Sequence, residues 1–440
     1  MFKHFFKSDF SKNVATLMGG TLIGQAIPFL STFILTRIFT PDDFGLFAIY
    51  FSLVNIIGTV STGRYEMAIL LPKHKSAALG LLKISILSCL LVSVLLLGVL
   101  LLVGEEIAIL LGNKELYKFL FLLPISVFGF GIYKTLSVWF TRLKKYRKIS
   151  ASIIVKSISG LIFNIGVGLY YGVIGLFLGN VLSSIIAVFI LNPFEKGDFI
   201  IKKRRIHFLL RKYWKFPAFD VPSSFIYMLS KNGVVLLLSK GFSATITGHY
   251  SLTERLLIAP SQVFVGSYTQ VYNQEVSEMF SKGKQIGGFV SRNIFKVAKL
   301  LAIPFIVGTY ASPFLISILL GKGWEVLYKY IFILSPFIFF SMILNPMSYV
   351  LKIKDRQDIS FIQHLVLTAI KLLSLFISIM VFKLNVFIAL LVYGILSILT
   401  LAFNANVIFN ILELPVKKRL PVFLIALICV VMTLINMYFI

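Results

Sequence analysis

Charged side chains interrupt the long apolar segments of this 440-residue chain. A charge near the middle of a bilayer costs a few kcal/mol, so such residues normally face a helix-bundle interior or a wet cavity and mark a pathway. Positive charges outnumber negative ones here, and Lys acts as a point-charge ligand for phosphate. A cavity lined by these residues would therefore bind an anion such as a phosphate or pyrophosphate. The positive set is Lys83, Lys134, Lys156, Lys231, Arg255, Lys299 and Lys371, and the negative set is Asp220 and Glu254.

Depth separates these residues into two groups. Lys83 and Lys299 lie within about two turns of a predicted cytoplasmic helix end, where snorkelling is the favoured interpretation. Lys231 and Glu254 each lie about 14 Å from the outer ends of two consecutive predicted helices, at ~1.5 Å per residue. A short turn joins those helices, so Lys231, Glu254 and Arg255 are predicted to form one charged cluster.

The three remaining lysines also lie deep in predicted helices. Lys134 and Lys156 flank the basic 142–148 loop at equal distances, and Lys371 lies near the middle of its helix. We predict that these three, together with Lys231 and Arg255, bind an anionic headgroup. Glu254 and Asp220 are candidates for H⁺ or Na⁺ coupling, although a lysine could equally neutralise either carboxylate.

Composition indicates what must position these charges. Hydrophobic residues make up 58% and charged residues 14% of the chain, whereas a soluble domain carries roughly a quarter charged residues. Segments of about 20 apolar residues are long enough to span a bilayer. The sequence predicts an all-α, polytopic membrane protein with helices at 14–36, 44–63, 76–103, 118–141, 149–170, 172–192, 216–239, 245–270, 297–320, 327–351, 359–382 and 385–411.

The distribution of Lys and Arg predicts the orientation. The formal charge is +26, and the positive residues cluster in alternate connections, such as RLKKYRK at 142–148. This is the positive-inside pattern of membrane proteins, and it argues against nucleic-acid binding. We expect a multi-pass membrane protein with a cytoplasmic N-terminus.

The longest connection, 193–215, divides the helices into two groups of six. We predict an N-terminal lobe with a basic linker at 1–212 and a C-terminal lobe at 213–412, as in pseudo-twofold transporters. A further apolar run within 413–440 either spans the membrane or lies at its interface. Pro28, inside the first helix, is either a hinge or a plain kink.

Neither catalytic nor metal-binding motifs stand out. Cys89 and Cys429 lie in apolar runs, and no Cys/His cluster or nucleotide-binding loop is present. Asp42 and Asp43 follow Pro41 and are interpreted as a helix N-cap rather than a metal site. Connections on the outer side are too short for the catalytic loop of a glycan polymerase or ligase, so we predict neither an enzyme nor a cofactor.

Two stretches carry a family resemblance. LTRIFTPDDFGLFAIYFSLVNIIGTVSTGRYEMAILLPK at 35–73 and FPAFDVPSSFIYMLSKNGVVLLLSKGFSATITGHYSLTERLLIAPSQVFVGSYTQVYNQEVSE at 216–278 resemble signatures of Wzx-type oligosaccharide flippases, in the polysaccharide-exporter branch of the multidrug/oligosaccharidyl-lipid/polysaccharide superfamily. Arg64 and Glu66 match the family's Arg-Tyr-Glu and, with Arg37, are assigned to a structural ion pair or gate. Arg255 matches the central signature's arginine. Glu254 departs from the neutral residue expected there, which puts the role of that pair in doubt.

The resemblance implies two six-helix lobes around a central cavity that opens alternately to either side. The implied substrate is an oligosaccharide on undecaprenyl pyrophosphate, exported for O-antigen, capsule or a related glycan. The implied location is the cytoplasmic (inner) membrane of a prokaryote. The implied partners are the membrane, the lipid-linked oligosaccharide, and a glycan polymerase or other assembly proteins. A cation-coupled drug or metabolite antiporter of the same superfamily is the alternative, and it would need more carboxylates in its cavity.

Overall fold

The computed structural model describes residues 9–192 and 203–440. Helix accounts for 87% of the residues in these two ranges, which contain no strand. The predicted fold class, an all-α polytopic membrane protein, is confirmed. The predicted basic positions at Lys3, Lys7 and Lys196 lie outside the described residues.

The chain divides into two compact units, Met1–Ala244 and Thr245–Ile440. Within the first unit, α1 packs against α7, α7 against α8, α4 against α6, and α10 along α2. A five-residue π-helical segment, Phe216–Asp220, precedes α10. The helices are α1 Asp9–Ile38, α2 Pro41–Ser61, α3 Tyr65–Ala68, α4 Lys75–Leu110, α5 Tyr117–Leu120, α6 Leu123–Arg142, α7 Tyr146–Tyr171, α8 Ile174–Ile190, α9 Lys203–Lys212 and α10 Val221–Gly241.

The second unit is built around α14, which packs against α12, α17 and α18, while α16 packs against α17. Two irregular segments interrupt its helices, a 3₁₀ turn at Asn345–Met347 and a π-helical turn at Ile377–Val381. Its helices are α11 Ala244–Ser281, α12 Gly287–Tyr310, α13 Ser312–Leu319, α14 Leu327–Leu344, α15 Ser348–Ile353, α16 Gln357–Phe376, α17 Val386–Ile411 and α18 Val416–Tyr438.

The boundary between these compact units follows Ala244 because α10 packs along α2. The sequence prediction placed the lobes at 1–212 and 213–412, according to helix number and the basic linker. The boundary given by contacts does not test the boundary that was set by helix number. The predicted lobe boundary therefore stays a prediction.

Ten helices in the described ranges are long and apolar enough to cross a membrane, or eleven when α12 and α13 are counted as one bent span. The sequence predicted twelve or thirteen. The two further predicted segments are helical, but Ile174–Ile190 has only 17 residues and Ala244–Ser281 is rich in polar residues. The difference therefore lies in length and polarity rather than in the presence of helix.

The C-terminal run forms α18, which is long and apolar enough to span. Its buried Asn436 donates to the carbonyl oxygen of Phe332 on α14 at 2.7 Å and accepts from the Tyr310 hydroxyl of α12 at 3.0 Å. A buried amide that loses water must find such partners. These contacts favour the spanning helix over the interfacial one.

The start of α2 is fixed by a capping box. Thr40 is the N-cap, its Oγ1 accepts from the Asp43 amide at 3.3 Å, and Asp43 Oδ2 accepts from the Thr40 amide at 2.9 Å. The predicted N-cap function at Asp42 and Asp43 therefore belongs to Thr40 with Asp43. In the described ranges no group of three or more His, Cys, Asp or Glu could hold a metal ion.

Pro28 leaves a carbonyl group without its usual helical donor, since proline has no N–H to give to residue 24. The hydroxyl of Ser157 on α7 donates to the Gly24 carbonyl oxygen at 2.7 Å. Ser31 and Thr32 in turn donate to the Pro28 carbonyl at 2.8 and 3.0 Å. Side chains thus satisfy the backbone around the proline, as a membrane requires. The hinge role of Pro28 stays a prediction.

Glycine sets the close contact between α7 and α8. A Cβ atom on Gly175 would lie 2.5 Å from the Gly168 nitrogen and 2.6 Å from its Cα. Both atoms are backbone, so no rotamer change relieves the overlap. Small residues allow membrane helices to approach closely and gain van der Waals contact.

We predict that Gly175→Ala destabilises the first unit by about 1–3 kcal/mol, because the added methyl group overpacks the helix pair. Thermal unfolding of the purified protein in detergent measures the change. Gly166→Ala, on the partner helix α7, is the matched control, since a Cβ there meets nothing within 4 Å. Equal midpoints for the two variants would contradict this account of the α7–α8 contact.

Candidate functional site

A buried carboxylate organises the cationic groups of the first unit. Glu66 on α3 is 0% exposed. Its Oε1 lies 3.0 Å from Arg64 Nη1 and 3.4 Å from Lys134 Nζ on α6, while Oε2 accepts from the Thr62 hydroxyl at 2.5 Å. Two cations share one anion, so this cluster of Thr62, Arg64, Glu66 and Lys134 carries a net positive charge. We call it the Glu66 cluster.

Backbone geometry places the arginine. After α2 ends, Gly63 and Arg64 both adopt left-handed conformations, with φ of 61° and 59°. Such a conformation is costly for a residue with a side chain. It turns the chain sharply into the four-residue α3. The side chains of Arg64 and Glu66, two residues apart, are thereby brought into contact. Arg142 on α6 holds the following segment by donating to the carbonyl oxygens of Ile69 and Pro72.

Lys156 on α7 extends the positive region of the first unit. Its Nζ lies 4.6 Å from the ring centroid of Tyr133, the residue before Lys134 on α6. A cation over an aromatic face is stabilised by the ring quadrupole. This contact leaves ammonium hydrogens available to an anion. The sequence paired Lys134 with Lys156 by depth, and the structure places Tyr133 beside both.

The buried Glu66 corrects one element of the sequence interpretation. Only Asp220 and Glu254 were counted as embedded acids, because Glu66 was assigned to a helix end. Full burial makes Glu66 a third one. Its partner Arg64 was likewise outside the embedded set, so the positive surplus of the interior does not change. The surplus persists, since one carboxylate serves both Arg64 and Lys134.

In the second unit, Lys371 on α16 occupies an aromatic site. Its Nζ lies 4.7 Å from the ring centroid of Phe337 on α14 and 6.0 Å from that of Tyr393 on α17. The Tyr393 hydroxyl is in hydrogen-bonding contact with Tyr250, which also contacts the Glu254 carboxylate one turn along α11. Lys371 and Glu254 therefore belong to one polar chain that runs through two tyrosines.

The other predicted site residues are distributed over both units. Lys231 is exposed on α10, and its Nζ lies 5.2 Å from the Tyr227 ring one turn earlier. Arg255 is partly buried on α11 in the second unit. Because Lys231 belongs to the first unit and Glu254 and Arg255 to the second, the predicted cluster of these three stays a prediction.

Asp220 is partly buried at the end of the π-helical turn before α10, which matches the irregular backbone expected between Pro217 and Pro222. Arg37 is exposed in the last turn of α1. Arg37 and the Glu66 cluster lie at opposite ends of α2, so a direct pair between them is not formed.

The two lysines interpreted as snorkelling have different surroundings. Lys83 is partly buried on α4. Lys299 on α12 is exposed and lines an apolar cavity of about 290 Å³ with Phe295, Pro336 and Cys429. The alkyl stem of a lysine suits such a position while its ammonium group reaches outward.

Aromatic partners of the lysines are what the sequence interpretation missed. Tyr227 precedes Lys231 by four residues, a spacing that places two side chains on one helix face, so this contact was available as a signal. Tyr133 with Lys156, and Phe337 with Lys371, join different helices. Spacing along the chain gives no signal for those two pairs.

A protein-family model described as polysaccharide biosynthesis protein matches residues 34–329, well over half of the chain. The chain belongs to the polysaccharide biosynthesis protein family. A curated relative, the teichuronic acid biosynthesis protein TuaB of Bacillus subtilis (strain 168), is 22% identical over 156 residues. That match spans 34% of this chain and 32% of the relative, so only about a third of the relative's length is covered.

Two solved structures share the fold of this chain over more than nine-tenths of its length. The chain resembles the lipid II flippase MurJ in an inward closed conformation, with a TM-score of 0.71, 13% identity, and coverage of 96% of this chain and 97% of that one. It also resembles an inward-facing multidrug resistance transporter of the MATE family in the MOP superfamily, with a TM-score of 0.56, 12% identity, and coverage of 92% and 95%. The family resemblance inferred from the two sequence stretches is confirmed.

We predict that Glu66→Gln destabilises this polysaccharide biosynthesis family member by about 2 kcal/mol. Removing one partner of a fully buried ion pair costs about 3–5 kcal/mol, and the partial exposure of Arg64 and Lys134, 15% and 23%, lowers that figure. Thermal unfolding in detergent measures the loss.

The control for this prediction is a double-mutant cycle with Lys134→Met. The second substitution removes one uncompensated cation, so the double variant should be more stable than Glu66→Gln alone. Strictly additive destabilisation would mean that Glu66 and Lys134 do not interact energetically.

Proposed function

We propose that this protein is a flippase that moves undecaprenyl-pyrophosphate-linked oligosaccharide repeat units from the cytoplasmic to the outer leaflet. The observation that carries the proposal is the positive interior of both units. Lys134 and Arg64 share one carboxylate, and Lys156 and Lys371 lie over aromatic rings. An ammonium group has three donors and a guanidinium group five, so the groups of Lys134, Arg64 and Lys156 retain donors for a pyrophosphate.

Arg255 and Lys231 are the other proposed ligands of the anionic headgroup. Arg255 stands at the arginine of the central sequence signature, and Lys231 lies exposed on the helix before it. Membership of the polysaccharide biosynthesis family supports a glycan-containing substrate. The substrates that best fit this reasoning are intermediates of O-antigen, capsule or a related polysaccharide.

Transport proceeds, in this proposal, by alternating access in the cytoplasmic membrane with the N-terminus in the cytoplasm. A ligand shifts such an equilibrium only by its differential affinity for the two states. Glu254 and Asp220 are proposed to carry H⁺ or Na⁺, so that ion binding biases one state. No covalent step and no cofactor are required, and a glycan polymerase is a proposed partner because it would consume the flipped product.

A cation-coupled drug or metabolite antiporter is the second candidate, because the chain resembles a MATE-family structure in fold. A cavity for cationic drugs needs uncompensated carboxylates. Glu66 is engaged by two cations and a hydroxyl group. These contacts favour an anionic substrate over a cationic one.

We predict that deletion of the gene in its native host abolishes a surface glycan and causes the lipid-linked oligosaccharide to accumulate on the cytoplasmic side. Complementation with Arg255→Ala or Lys231→Ala should restore less glycan than the wild type, and the double variant should restore less than either. The physical reason is the loss of headgroup ligands. Glycan staining and extraction of lipid-linked intermediates measure both outcomes.

Lys322→Ala, in the connection after α13, is the matched control for charge removal outside the spans and should complement fully. Immunoblotting of membrane fractions establishes that each variant is present. Full glycan export by the double variant would overturn the proposed headgroup site. An unchanged glycan in the deletion strain, with altered drug sensitivity, would favour the antiporter.

A further inference from the structure

A partly open pocket with polar and apolar side chains lies within the second unit, apart from the cationic groups. It has a volume of about 150 Å³ and is bordered by α14, α15, α16, α17 and the 3₁₀ turn between α14 and α15. Whole ligand pockets usually measure about 300–1,000 Å³, so this one suits a single part of a larger ligand. Its hydrogen-bonding side chains include Asn345, Ser348, Ser360, Gln363, His364 and Asn404.

The pocket lies between helices that are long and apolar enough to span a membrane. Gln363 is six residues from the start of α16 at Gln357, and Asn404 is seven residues from the end of α17 at Ile411. Both distances correspond to about 10 Å at the helical rise. Polar side chains at this depth are expensive unless they meet water, protein or a ligand.

Several of these side chains retain hydrogen-bonding capacity. Gln363 Nε2 donates to the Asn404 carbonyl oxygen at 3.1 Å, and the Ser348 hydroxyl donates to the Asn345 carbonyl oxygen at 2.9 Å. Within the part of the chain that the structure describes, the amide groups of Asn345 and Asn404 and the hydroxyl of Ser360 make no hydrogen bond. The pocket therefore offers both donors and acceptors to a ligand.

The helix beside the pocket tightens locally. α14 passes into a 3₁₀ turn at Asn345–Met347, which contains Pro346, and continues as α15 within one candidate span, Leu327–Ile353. A 3₁₀ stretch inside a longer helix often marks a hinge or local strain.

The chemistry of the lining selects the ligand class. Of the lining residues in the described ranges, none is Asp, Glu, Lys or Arg. Such a lining has little to offer an ion, whereas amides, hydroxyls and an imidazole are able to bond the vicinal hydroxyls of a sugar. An acyl chain would leave these polar groups unsatisfied.

The pocket is connected to a proposed headgroup ligand. Ser360, Gln363, His364 and Lys371 recur at intervals of three, one and seven residues, which places them along one face of α16. The rise from Gln363 to Lys371 is about 12 Å. Lys371 lies over Phe337 of α14, one turn from Ser341 of the pocket, so the same helices border both places.

We propose that this pocket is a carbohydrate subsite that holds a neutral sugar residue of the substrate while Lys371 contacts the pyrophosphate. This inference rests on the proposed flippase function and deepens it. Amide and hydroxyl groups of α16 and α17 select the sugar, and the lysine one and a half to two turns further along α16 holds the charge common to all such lipids. A mutation can then weaken binding of the sugar without weakening binding of the pyrophosphate.

The test measures binding of two probes to the purified chain in lipid nanodiscs. The probes are undecaprenyl pyrophosphate without sugar and the lipid-linked oligosaccharide extracted from the deletion strain. Asn404→Leu and Gln363→Met, which keep the approximate shape of the native side chains, should each weaken oligosaccharide binding about tenfold, a typical effect of losing one hydrogen bond. Both variants should bind undecaprenyl pyrophosphate as the wild type does.

Two controls make the result interpretable. Thr400→Val lies one turn from Asn404 on α17 but does not line the pocket, and it should leave binding of both probes unchanged. Lys371→Ala should weaken binding of both probes. If the pocket variants bind both probes as the wild type does, or lose both equally, the subsite is overturned while the flippase function stands. Wild-type protein that binds neither probe would overturn the proposed function and the subsite with it.

Discussion

The problem that governs this structure is the retention of positive charge inside apolar helices. An isolated ammonium group in a bilayer is too costly to persist, and the protein stabilises its lysines in two ways. In the first unit, Glu66 is shared by Arg64 and Lys134. At Lys156 and Lys371, aromatic faces stabilise the cation without neutralising it. Both solutions keep a net positive charge in place, which is the condition for binding an anion and releasing it again.

The helices also need hydrogen-bond partners from within the protein, because the bilayer offers none. Ser157 supplies the donor that Pro28 removes from α1, and Asn436 of α18 bonds across to α12 and α14. Glycine at position 175 lets α7 and α8 approach to backbone contact. These contacts fix helix positions within each unit, so the charged side chains are held in defined places.

In our proposal, charged and neutral side chains bind different parts of the substrate. Lysine and arginine side chains bind the pyrophosphate that all lipid-linked oligosaccharides share, while amide and hydroxyl groups around Asn404 and Gln363 contact the sugar. A transporter arranged in this way can change its glycan by changing a few neutral residues. The common fold with a lipid II flippase and a multidrug transporter is compatible with such variation, because fold alone does not determine the substrate.

The sequence by itself determined the helical membrane architecture, the approximate span positions and the family, since the hydrophobic length of a segment and its motifs are local properties. It also indicated Arg64 and Glu66 as an ion pair, through their match to the family's Arg-Tyr-Glu. Only the tertiary structure decided that Glu66 is buried and shared with Lys134, that Lys156 and Lys371 lie over rings of other helices, and that Thr40 caps α2. The polar pocket likewise joins residues of α14, α16 and α17 that are far apart in the chain. Which faces of different helices meet depends on packing across many residues, and spacing along one chain segment carries no record of it.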